Sequence, residues 1–116
     1  HNEDQAYPEG VYVEFYEEDK GVVATARANS AYYTAEKKVF EFRGDVEVIS
    51  LHKKRQLNTE SLCWDPEKKK LYTDTFIRIE SEENILTGQG LEAHEDLSQY
   101  QIPQPRGTAS VKAANK

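Results

Sequence analysis

The sequence predicts an all-β fold: an elongated pair of antiparallel sheets, or a solenoid-like stack, with open ends. Two observations carry this. Apolar and polar residues alternate along most of the chain, with no long window showing an apolar stripe at helical spacing. A strand–turn–strand unit also repeats, residues 28–48 aligning with 59–79 at an offset of 31.

The elements follow in order. Val11, Val13 and Phe15 share one parity and Tyr12, Glu14 and Tyr16 the other, as in a strand with one buried face. Asp19-Lys20-Gly21 is a turn. Val22, Ala24, Ala26 and Ala28 then face inward, opposite Thr25, Arg27 and Asn29. Phe40, Phe42, Val46 and Val48 keep one parity around Gly44-Asp45, where a glycine inside a strand marks a bend or bulge. Leu57 and Thr59, Phe76 to Ile79, and Ile85-Leu86 continue the pattern, and the acidic stretch Leu91 to Leu97 reads as strand. Within the repeat, Tyr33 falls on Trp64, Glu36-Lys37-Lys38 on Glu67-Lys68-Lys69, Phe40 on Leu71, Val46 on Ile77 and Val48 on Ile79. A second offset of 31 lays Ala93 on Leu62. Repeats of this kind stack so that each buries its neighbour's apolar face. The domain limits expected are a flexible segment over 1–6, a folded domain over 7–102 and a flexible tail over 103–116, the tail opening with two prolines and little that packs.

Composition removes several classes of function. The 116 residues carry 15 basic and 21 acidic side chains, a net charge of −6, which disfavours phosphate backbones and argues against nucleic-acid binding. No apolar run approaches the length that crosses a bilayer. A single cysteine, Cys63, forms no internal disulfide and no thiolate zinc site. His1, His52 and His94 are scattered, no G-x-S-x-G occurs, and Glu80-Ser81-Glu82-Glu83 reads as a solvating turn. The G-x-G of Gly88-Gln89-Gly90 precedes an alternating segment instead of a helix, so no phosphate cradle is expected. The chain reads as a non-enzyme without metal or cofactor.

A binding role remains. The inward parity mixes small residues (Ala24, Ala26, Ala28, Thr59, Gly88, Gly90) with large ones (Phe15, Phe40, Phe42, Ile77, Ile79). Small inward residues leave room for acyl chains, or else face bulky partners across a filled core; the residues alone leave both open. Open sheet ends offer unpaired backbone groups for edge-to-edge joining, including self-association.

The ordered set Tyr7-Pro8-Glu9-Gly10-Val11-Tyr12, Ala26 to Tyr33, Arg43 to Val48, Leu57 to Asp65 and Leu86 to Ala93 resembles the LptC family of lipopolysaccharide-export proteins over residues 7–107. Asn29 stands where these proteins commonly carry Asp. The resemblance implies a twisted β-jellyroll of two antiparallel sheets. It further implies a periplasmic domain whose full-length form is anchored to the inner membrane by an N-terminal helix outside this chain. Such a domain would take lipopolysaccharide from the LptB/LptF/LptG ABC transporter and pass it to LptA. The expected lipid lining is Val13, Phe15, Ala24, Ala26, Phe40, Phe42, Val46, Val48, Leu57, Thr59, Ile77, Ile79 and Gly88, and the expected partner edge is Leu86, Gly90, Leu91, Ala93 and Leu97. The alternative is a structural β-repeat module of the cell envelope with a dry core and no lipid.

Overall fold

The computed structural model describes residues 3–110. Ten strands run in order: β1 (Gln5–Tyr7), β2 (Val11–Glu17), β3 (Gly21–Ala28), β4 (Ser30–Thr34), β5 (Val39–Ser50), β6 (Arg55–Asp65), β7 (Lys70–Glu80), β8 (Asn84–His94), β9 (Tyr100–Gln101) and β10 (Gln104–Ser110). All pairings are antiparallel, and they form one sheet that does not close into a barrel.

The path of β5 explains how one sheet makes two layers. Its first half pairs with β4 (Arg43 opposite Ser30) and its second half with β3 (Glu47 opposite Arg27), although only Asn29 separates β3 from β4. The Asn29 N–H donates to the Gly44 carbonyl at 2.9 Å and carries the ladder across the joint. At the same level the register slips between Arg43 and Val46 on β5, between Thr59 and Cys63 on β6, and between Thr73 and Phe76 on β7. Bulges bend the strand that carries them, so a row of them creases the sheet. Gly44 (φ +83°) and Asp45 (φ +50°) supply the left-handed backbone of the first. The first leaf contains β2, β3, β10 and the halves of β5–β8 nearest them. The second contains β1, β4, β9 and the other halves. Phe15 of the first leaf meets Trp64 of the second with ring centroids 5.1 Å apart, so the leaves face each other.

The turns of the repeat are also reproduced. Lys38 and Lys69, equivalent under the 31-residue offset, both close their turns with positive φ (59° and 56°).

Four sequence expectations are corrected. On β3 it is Val23 that is buried, not Val22, because a register slip at Phe15/Tyr16 inserts one residue. The strand expected to reach Leu97 ends at His94, and the chain then turns. The N-terminal segment contributes β1, which pairs with β4 (Tyr7 opposite Ala31). The C-terminal stretch forms β10 along β8, where Pro105 is tolerated because the strand is an edge with only one neighbour. Residues 111–116 of the expected tail lie outside the described residues.

Candidate functional site

The site that the fold defines is the space between the leaves. Of the residues expected to line it, Phe15, Ala24, Ala26, Phe42, Val46, Val48, Leu57, Thr59, Ile77 and Ile79 all point into it and are buried. Val13 and Phe40 sit half-buried at its margin. Alternation therefore locates the inner face correctly on β2, β5 and the first half of β6. It misses Leu62, Leu71 and Leu91, all buried in the same cluster. At the crease the inward parity changes from odd to even on β6 and from even to odd on β8, so one fixed parity reads only half of each strand. The signal for Leu71 was present in the repeat, which lays it on Phe40.

The interior is filled. Phe42, Val46, Val48, Leu57, Leu62, Leu71 and Ile77 have no exposed surface at all, so no water-sized space adjoins them. Toward β1 the filling is aromatic. The Phe40 ring stacks on Trp64 at 4.9 Å and packs against Tyr33 at 4.7 Å, and Phe42 lies 6.1 Å from Trp64. Of the two readings of the small inward residues, the structure realises the closed core.

Gly88 has a different role from the lining expected of it. A Cβ there would collide with Ile102 Cγ2 and meet the Gln104 carbonyl at 2.8 Å. Its face is covered by the chain's own path from β9 into β10.

The expected partner edge is likewise occupied from within. Leu86 pairs with Thr108 and Ala93 with Tyr100; Leu91 and Leu97 are core residues; Gly90, at φ +88°, faces the ring of Pro103. Among the described residues, the strands with a single neighbour are β1 and β2 at one end and β9 and β10 at the other. Residues 104–109 are exposed on both faces, because the two-residue β9 gives them no opposing strand.

Away from the crease, the strand ends meet in a mouth. One lip is formed by the β5–β6 turn with His52, Lys53, Lys54 and Arg55 together with the β7–β8 turn with Glu82 and Glu83, where Lys54 Nζ lies 4.0 Å from Glu82. The other is formed by the β4–β5, β6–β7 and β8–β9 turns, where Lys37, Lys38, Lys68 and Lys69 lie. A polar cluster joins the lips. Arg55 Nη1 donates to the Leu97 carbonyl at 2.5 Å and its guanidinium lies 5.4 Å from the Tyr100 ring. Asp96 is flanked by His52 (3.6 Å) and His94 (2.9 Å) and accepts the Ser98 N–H at 2.9 Å. Burial would raise the Asp96 carboxyl, but the Ser98 hydrogen bonds and His94 outweigh it and hold it at about 2. Its neighbour Glu95 goes the other way: burial raises it, against the Trp64 indole N–H that donates to it at 2.7 Å. The sequence gives no local sign of this cluster, because its members come from turns some forty residues apart.

Among the described residues there is no group of three or more His, Cys, Asp or Glu side chains placed to hold a metal, and no helix long and apolar enough to cross a membrane. No curated protein matches the chain. The family model described as "Lipopolysaccharide-assembly, LptC-related" matches residues 1–104, nearly the whole folded region, so the chain belongs to the LptC family and its role lies in lipopolysaccharide transport and assembly.

Proposed function

We propose that this domain is a periplasmic relay that receives lipopolysaccharide from the LptB/LptF/LptG transporter and passes it to LptA. Acyl chains lie between the leaves, while phosphates and sugars stay at the lysine-bearing mouth. The observation that carries this reading is the architecture itself: an apolar interior inside one folded sheet whose two ends stay unpaired. A closed barrel would isolate such an interior, whereas an open fold can continue it into a neighbour of the same kind. The lining is the expected set, Gly88 excepted and Leu62, Leu71 and Leu91 added. The partner edge moves outward to the free side of β10. Because the interior is filled, lipid enters only when the leaves part.

The test is photocrosslinking with lipopolysaccharide. Probes at Phe42, Val48 and Ile79 should trap it, and probes at the outward Glu47 and Arg78 should not; the reverse pattern would sink the reading. A proline placed for Thr108 on β10 should abolish co-purification with LptA while leaving lipid capture intact.

The closed core supports one other reading, a structural envelope module that never opens. Native mass spectrometry with lipopolysaccharide separates the two. Binding that is lost in Phe42→Glu favours the relay, and no binding by the folded wild-type domain favours the module.

A further inference from the structure

The β8–β9 turn has an unusual construction. Leu97 belongs to no strand, has a left-handed backbone (φ 60°) that L-residues adopt at a cost, and is nevertheless fully buried in the core. A turn residue in such a conformation persists only where its surroundings hold it. The holding contacts fall into two sets. On its own leaf the turn is tied by backbone: the His94 N–H donates to Gln99 and the Leu97 N–H to His94, both at 2.9 Å, and the Glu95 N–H donates to Lys69 at 3.1 Å. Across the mouth, among the described residues, its polar contacts are with side chains of the opposite lip, Arg55 on the carbonyls of Leu97 and Ser98 and His52 against Asp96.

We propose that residues 95–98 are a lid over the mouth and that Leu97 is its plug, occupying the seat that a hydrocarbon chain takes when the lid lifts. The plug is the chain's own substitute for its ligand. The cross-mouth contacts are the latch, and they can break without disturbing the ladders that join β5, β6 and β7. That identity of the ligand rests on the relay reading; the lid itself does not.

Asp96→Asn is the variant of choice. It keeps an oxygen for the Ser98 N–H but removes the charge that faces His52 and His94. Hydrogen exchange read by mass spectrometry should show residues 94–101 exchanging roughly tenfold faster than in wild type, with β5–β7 unchanged. Uptake of fluorophore-labelled lipopolysaccharide should quicken by a similar factor. Leu97→Ala, which loosens the plug and leaves the latch, should quicken both as well. If residues 94–101 exchange only together with the whole sheet in all three proteins, there is no lid. If they open locally but lipid uptake keeps its wild-type rate, the lid does not gate and the proposal falls. If they open locally and no protein takes up lipid, the lid stands and the relay reading fails.

Discussion

The crease and the mouth lie at opposite sides of the same folded sheet, and they are held by different means. At the crease the contacts are backbone and short hydroxyls. The Asn29 amide bridges to Gly44, Thr59 Oγ1 donates to the Phe76 carbonyl at 2.7 Å and lies 2.7 Å from Thr75 Oγ1, and Thr75 in turn bonds the Ser61 carbonyl at 3.2 Å. All of these groups but Asn29, which joins β3 to β4, sit on strands with neighbours on both sides. At the mouth the leaves meet through long side chains, Arg55 and His52, reaching a turn. Ladder and hydroxyl contacts break only with the strands that bear them, whereas a guanidinium can swing away from its partner alone. In the proposed relay, the crease is therefore the hinge and the mouth the part that moves.

The largest effect expected from this contrast compares two leucines with no exposed surface, Leu62 beside the crease and Leu97 at the mouth. Leu62→Ala should lose about 2–5 kcal/mol of global stability in urea denaturation, the cost of a cavity in a region unable to collapse. Leu97→Ala should cost clearly less, because the turn relaxes outward, and should show instead as local exchange at 94–101. Equal losses at the two sites would mean that mouth and crease are equally rigid.

The next effect tests the hydroxyls. Thr59→Val keeps the volume of a side chain only 6% exposed but strips the Phe76 carbonyl of its side-chain donor, a loss of about 1–3 kcal/mol. Combined with Thr75→Val the losses should fall short of additive, since the two hydroxyls belong to one network. Full additivity in a double-mutant cycle would show that the crease rests on its bulges alone.

How much of this was legible in the sequence differs by region. As far as the end of β5, alternation and Gly44-Asp45 place Phe15, Ala24, Phe42 and Val48 on the inner face, and the structure keeps them there. Beyond the crease β6 and β8 exchange their buried parity, which period-two reading cannot follow without the register of the neighbouring strand; Leu62 and Leu91 were lost that way. β10 was lost because prolines and polar residues mark both an unpaired tail and an edge strand, and only the free edge of β8 decides between them. The mouth was illegible altogether. His52 and Arg55 read as a solvated basic loop until the fold brings Asp96 and Leu97 against them.

The smallest effect follows from that last juxtaposition and concerns pH. Asp96 is held at about 2 in the folded protein against an ordinary 3.8, so its ionised form favours folding. The stability it contributes, at most about 2 kcal/mol, is complete above the unfolded value and is lost as pH falls from about 4 to 2. Glu95 has the opposite sign: its carboxyl is raised by burial, so ionising it opposes folding, and protonation returns stability as pH falls through the raised value. The two partly cancel in the wild-type protein, and single variants separate them. Asp96→Asn should flatten the acid limb of a stability-against-pH curve between 4 and 2. Glu95→Gln, which keeps an acceptor for the Trp64 N–H, should raise stability at pH 7 and leave that limb in place. Both changes should appear in exchange at 94–101 before they appear in the crease, because both carboxylates act on the turn that closes the mouth; a simultaneous change in the two regions would show that the leaves open as one unit.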